Sequence, residues 1–349
     1  MRYFLWCFYV TLAVSAGAAE LHFNFGDYVE GATPTNFSSV VAGAGQPGAW
    51  QVLNDEVSSA FTPLTDKAPN VARRGVLAQT SQDMADERFP IFVYNGEIFR
   101  DFKFTTQFKI VSGIVEQMAG VVFRFQNASN FYVTRVSALG KNLRFYKVVN
   151  GIRSDPIGPT LEITAGTWHK LSVQAEGTQI TVWLDDKLAM PALGDNSFTE
   201  GKLGFWTKSD AVSYFSDATV TYTPRIPVAQ QLVNSVLDKQ SRLLGLRIYT
   251  LEKNSATHII ASKDVEEIGR PGTAAELSAI QTGAISFGRE KDAMLVTMPL
   301  HDRNGEYIAA VRVKLKSFFG QTENNAVTRA KTIIKLLEEP GTSGDDLRK

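Results

Sequence analysis

The 349-residue chain has one cysteine, Cys7. That scarcity excludes a disulfide framework, a Cys-x-x-Cys redox centre and a thiolate zinc module. Histidine is nearly as rare, and His22, His169, His258 and His301 stand far apart without the paired spacing of a zinc site. Charge of one sign is also missing: 36 Lys and Arg balance 36 Asp and Glu. A neutral balance lacks the electrostatic footprint of a nucleic-acid binder or a polybasic membrane surface. Beyond the N-terminus no run approaches 18 consecutive apolar residues, so no later transmembrane span is expected.

What is present fits a packed globular protein, with 44% hydrophobic and 21% charged residues in a length suited to about two domains. Residues 1–19 have the pattern of a bacterial secretory signal peptide. Arg2 precedes an apolar run from Tyr3 to Val14, and the small residues Ser15, Ala16, Gly17, Ala18 and Ala19 follow. Cleavage after Ala19 would remove Cys7, and the expected location is periplasmic or secreted.

From residue 20 to 224 short β-branched and aromatic runs are bounded by Gly, Pro, Asn or Asp, the pattern of a sandwich or barrel. Residues 120–147, GVVFRFQNASNFYVTRVSALGKNLRFYK, hold three such runs. Their alternation predicts one core face and one outer face carrying Arg124, Tyr132, Arg135, Arg144 and Tyr146 in some combination. The runs GTWHKLSVQAEGTQITVWLDDK and GKLGFWTKSDAVSYFSDATV follow. In this order the three segments resemble the concanavalin A-like jelly roll, nearest the laminin-G-type modules and the 3-keto-disaccharide hydrolase-like domains. The resemblance implies a mainly β sandwich and serves lectins, binding modules and glycosidases alike.

Pro224 and Pro227 mark a boundary. From Val228 an apolar stripe at three- and four-residue spacing predicts a helix, followed by two strands, a helix over residues 273–281, three strands with a turn at 302–305, and a helix over 323–339. This order, with SAIQTGAISFGREKDAMLVTMPLHDRNGEYIAAVRVKLK, resembles the extracytoplasmic PAS-like Cache modules. An α+β domain over 225–340 that binds a small metabolite is implied, and residues 341–349 are expected to be a disordered tail.

Catalytic signals are weak. The Glu-x-Asp-x-Glu repeat of jelly-roll glycosidases is absent, and Asp185 and Asp186 are adjacent turn residues. Residues 43–48 spell GxGxxG but contain Pro47 and lead into strand, the wrong context for a dinucleotide. Sugar recognition wants aromatic faces beside hydrogen-bonding polar groups. The candidates of those types are Arg124, Asn130, Tyr132, Arg135, Trp206 and Tyr214. In the second domain they are Tyr249, His258, Arg270, Arg289 and Met298. No cofactor is expected beyond a possible structural calcium ion, for which the resemblance suggests Asp27 and Asp217. The expectation is therefore an exported, non-catalytic protein with carbohydrate and small-molecule ligands. The alternatives are a disaccharide hydrolase or lyase, or an accessory subunit docking on a membrane receptor.

Overall fold

The computed structural model describes residues 18–58, 65, 71–252 and 256–347. The chain divides into two compact units, Met1–Arg225 and Ile226–Lys349. Residues 1–17 of the expected signal peptide lie outside the described residues, whereas Ala19 pairs with Tyr222. Among the described residues no helix is long and apolar enough to cross a membrane.

Unit 1 is a β-sandwich of the expected jelly-roll class. Its strands are β1 (Ala19–Phe23), β2 (Phe37–Gly43), β3 (Trp50–Ser58), β4 (Val71–Gln79), β5 (Arg88–Tyr94), β6 (Phe102–Ser112), β7 (Met118–Asn127), β8 (Asn130–Ser137), β9 (Asn142–Val149), β10 (Ile152–Arg153), β11 (Trp168–Glu176), β12 (Gln179–Leu184), β13 (Lys187–Gly194), β14 (Lys202–Trp206) and β15 (Val212–Tyr222). One antiparallel sheet runs β13-β12-β11-β6-β15-β4-β3, with β1 also on β15, and the other runs β10-β9-β8-β7-β14-β5-β2.

Alternation explains the layering. Along β6, Phe102, Phe104, Phe108 and Ile110 point into the core while Lys103 and Lys109 point out. The second sheet sends Phe92, Val121, Phe123, Tyr132, Phe145 and Phe205 to meet them. Rings interlock across the sandwich, with Phe205 at 5.8 Å from Phe104 and 4.9 Å from Phe215. The second sheet is also apolar on its outer face, where Ile91, Val93, Met118, Val122, Phe131, Val133 and Trp206 form a separate cluster. A sheet hydrophobic on both sides must be covered or form a ligand floor, and this outer face positions the site described below.

A β-bulge lies in the segment that dominates the sequence. Against β14 the register shifts between Val122 and Phe125, where β7 holds one residue more than its partner, and Arg124 has φ 46°. An extra residue in one strand reverses the side-chain phase beyond it. Phe125 consequently joins the outer cluster, while Arg124 is fully buried and donates to the carbonyls of Phe198 (2.9 Å), Arg100 (3.2 Å) and Gly177 (2.5 Å). The GxGxxG loop has a similar structural use. The buried Arg88 guanidinium donates to the carbonyls of Gln46 (2.6 Å) and Pro47 (3.0 Å), so the loop surrounds a cation and not a phosphate.

Unit 2 is α+β. Its sheet contains β16 (Gly245–Leu251), β17 (Thr257–Ser262), β18 (Ser286–Glu290), β19 (Ala293–His301) and β20 (Tyr307–Lys316), in the order β17-β16-β20-β19-β18. The helices are α1 (Val228–Lys239), α2 (Ala274–Thr282), α3 (Glu323–Glu338) and α4 (Gly344–Leu347). The face of α3 named by its spacing, Ala326, Ala330, Ile333, Ile334 and Leu337, is buried against the sheet with α1. Thr273 and Glu276 close α2 with a capping box. Within the tail expected to be disordered over 341–349, α4 forms and Leu347 is 2% exposed in the same apolar cluster, which corrects the expectation for residues 344–347; residues 348 and 349 lie outside the described residues.

Candidate functional site

The outer face of the second sheet encloses a groove of about 580 Å³. Its floor comes from central strands: Met118 on β7, Val133 on β8 and Trp206 on β14. Gly120 lies between Arg135 and Trp206 in the register. A Cβ at Gly120 would meet the Thr134 carbonyl oxygen at 2.6 Å and Arg135 Cα at 2.9 Å, so this close backbone approach requires glycine.

Aromatic rings line the groove. Trp206 stacks on Phe89 of β5 with centroids 5.7 Å apart and planes 17° apart. Tyr146 of β9 is half-buried in the wall. Arg153 of β10 lies 5.2 Å from the Tyr146 ring and 5.5 Å from the Phe89 ring, and reaches Glu87 at 3.5 Å. Arg135 lies 5.5 Å from the Tyr146 ring and donates to its hydroxyl at 3.0 Å and to the Asn142 side chain.

The remaining charges form a chain of pairs. Lys208 joins Asp86 and Glu116 at 2.8 Å each, and these partners outweigh its burial and raise its pKa. Glu116 is presented by a loop that Asp210 organises. The nearly buried Asp210 carboxylate accepts from the backbone N–H groups of Ile114 (2.6 Å), Val115 (3.1 Å) and Glu116 (2.9 Å). Burial raises the Asp210 pKa, but these N–H donors outweigh it and hold the group below the usual carboxylate range.

The structure brings Arg135 and Trp206 together and sends the other four candidates elsewhere. Tyr132 faces the sandwich core, 0% exposed, with its hydroxyl donating to Asp195 at 2.5 Å and accepting from Phe198 N–H at 2.9 Å. Arg124 is buried at the bulge. Asn130 closes the β7–β8 hairpin, donating to Asn127 at 3.1 Å and accepting from Asn150 N–H at 3.0 Å. Tyr214 belongs to the other sheet, beside Lys109. Phe89, Glu87, Glu116, Arg153 and Lys208 were missed; the apolar alternation of RFPIFVY on both faces of β5 was the signal for the first.

Asp27 and Asp217 do not converge on one ligand set. Asp27 accepts from Asn24 at 2.7 Å, whereas Asp217 is paired with Arg74 at 2.5 Å, so a guanidinium stands where a cation would be needed. Among the described residues no group of three or more His, Cys, Asp or Glu could hold a metal.

The unit 2 candidates do not line one pocket. Met298 faces the α1 and α3 side of the sheet, Tyr249 the α2 side, and Arg289 lies on β18 at the edge opposite β17. Arg270 is exposed. Only His258, paired with Glu252 at 3.1 Å, borders an open hollow of about 1030 Å³ that also includes Leu251, Ile260 and Ile268.

No family model matches the chain. A curated relative, levanase from Bacillus subtilis (strain 168), is 28% identical over 131 residues, covering 37% of this chain and 19% of the relative. The chain thus spans about a fifth of that protein's length. Among solved structures, the carbohydrate-binding module CBM66 from Bacillus subtilis has a TM-score of 0.38 and 21% identity, over 49% of this chain and 94% of that one. A Bacillus subtilis protein with a galectin-like fold has a TM-score of 0.32 and 14% identity, over 50% of this chain and 90% of that one.

Proposed function

We propose that unit 1 binds a carbohydrate in the groove on the outer face of the β10-β9-β8-β7-β14-β5-β2 sheet, without cleaving it. The observation that carries this reading is the placement of Trp206, Phe89 and Tyr146 around a groove of about 580 Å³ rimmed by Arg135, Arg153, Lys208, Glu87 and Glu116. A sugar offers apolar C–H faces to rings and hydroxyls to charged and polar rims, and the volume is in the range of small-molecule sites. Each groove glutamate already holds a cation, Glu116 through Lys208 and Glu87 through Arg153.

The test is calorimetric titration of the full chain with a panel of oligosaccharides, including levan because of the relative's name. Binding that Tyr146→Ala weakens about tenfold supports the reading; no binding by any sugar overturns it. The two glutamates in one groove favour hydrolysis as the second reading. Sugar turnover abolished by both Glu87→Gln and Glu116→Gln would replace the non-catalytic reading with that one.

The proposal extends to an exported protein whose PAS-like unit 2 binds a small metabolite in the hollow beside His258, with docking on a membrane receptor as the route for any signal. Element order and the open hollow support this part. A thermal-shift screen in which no metabolite raises the unit 2 transition would count against it.

A further inference from the structure

One groove cation has no carboxylate in direct contact among the described residues. Lys208 and Arg153 each face a carboxylate, but Arg135 forms no ion pair among the described residues. Its side chain is nonetheless buried, with the residue 7% exposed. Of the five N–H donors of a guanidinium, one goes to Asn142 and one to the Tyr146 hydroxyl, both neutral acceptors. Burial lowers the Arg135 pKa, and Tyr146 and the more distant Glu116 only partly oppose this, which is the expected cost of desolvating a cation with no anion in direct contact.

The neighbourhood adds positive charge. Arg153 lies against the same Tyr146 ring, and Arg144 stands directly opposite Arg135 in the β8–β9 register. Arg144 donates to the carbonyls of Leu143, Gly158 and Pro159 and to no carboxylate among the described residues. Arg135 and Arg153 therefore flank one phenol ring with Arg144 on the neighbouring strand; Glu87 pairs with Arg153, and Glu116 acts on Arg135 only from beyond ion-pair distance. A buried charge is ordinarily paired, and the planar guanidinium fork fits a carboxylate with two parallel hydrogen bonds.

We propose that the groove selects acidic carbohydrate of the uronic acid class, with the sugar carboxylate on Arg135 and the ring against Tyr146 and Trp206. This rests on the carbohydrate-binding reading and narrows its ligand. Glu116 and Lys208, which also line the groove, would then receive hydroxyls.

The experiment titrates the full chain with oligogalacturonate and oligoglucuronate, and with the same oligosaccharides after reduction of their carboxyl groups to alcohols. Carboxyl reduction is expected to weaken binding about ten- to a hundredfold, the worth of a charge-assisted hydrogen bond. Arg135→Gln should remove most of that preference, with circular dichroism melting checking its fold. Arg153→Gln, at a side chain 40% exposed, is the second variant and should reduce the preference in a chain that keeps its fold. Equal binding of acidic and reduced sugars overturns the proposal while leaving the groove a carbohydrate site. An acid preference retained in Tyr146→Ala, Arg135→Gln and Arg153→Gln places the selectivity elsewhere and also overturns it. If neither these ligands nor the neutral panel binds, the site reading fails and the proposal fails with it.

Discussion

Tyr132→Phe tests whether this tyrosine is a core residue or a ligand contact. The substitution keeps the ring among Phe123, Phe145 and Phe198 and removes only the hydroxyl. Asp195 then loses its donor at 2.5 Å, although Lys147 at 2.7 Å and Ser197 N–H at 2.8 Å remain. The Phe198 N–H loses its acceptor at 2.9 Å. One lost bond to a charged group together with one orphaned buried donor costs about 2–4 kcal/mol. For a unit of this size that lowers Tm by about 5–15 °C.

The pH profile adds a signature. Burial first, and then Asp195, pushes the Tyr132 pKa up to about 12 from 10.0. A folded-state value above the unfolded one means the stabilisation is complete below about pH 10 and is lost as pH rises toward 12. The wild-type advantage over Tyr132→Phe should shrink by about 2–3 kcal/mol across that window and stay level from pH 7 to 9. Denaturant melts of both proteins at stepped pH measure it. Unchanged Tm in Tyr132→Phe, combined with weaker sugar binding, would refute the core assignment.

Other substitutions probe the frame of the groove. Gly120→Ala places a Cβ within 2.6 Å of the Thr134 carbonyl oxygen, so β7 and β8 must separate; a loss of about 2–4 kcal/mol is expected in chemical denaturation, together with weaker sugar binding. Asp210→Asn replaces a charged acceptor of three N–H groups, which should cost about 1.5–3 kcal/mol at pH 7. Because the folded Asp210 pKa is depressed, that difference should be full above the unfolded value of about 4 and vanish as pH falls below it, as acid melts would show. Truncation after Pro340 removes Leu347 from the unit 2 cluster and should lower that unit's stability by about 1.5–3 kcal/mol in calorimetry; an unchanged transition would return the tail to the disordered state expected from sequence.

The fold was more legible than the site. Strand alternation identified β7, β8 and β9, and the three- and four-residue spacing of Ala326, Ala330, Ile333, Ile334 and Leu337 named the buried face of α3. These signals are local, because a side chain's direction follows from its place in the strand or helix period. Alternation became ambiguous where both faces of the sheet are apolar: Phe131 and Val133 point outward and Tyr132 and Val136 inward, yet all are large and none is charged. At Arg124 the bulge changed the phase itself, which no residue type announces. In unit 2, Met298 and Tyr249 are on opposite faces of one sheet, a separation that depends on strand pairing and not on either residue's type.

By itself the sequence determined the two-part organisation, the β-sandwich class of the first part and the α+β character of the second, since periodicity and turn chemistry act over a few residues. Only the tertiary structure decided which side of the sheet each aromatic faces. Pairing across the second sheet brought Phe89, Trp206, Arg135, Tyr146 and Arg153 from five strands around one groove. Those residues are separated by up to 117 positions, the interval from Phe89 to Trp206, and their convergence is a property of strand order.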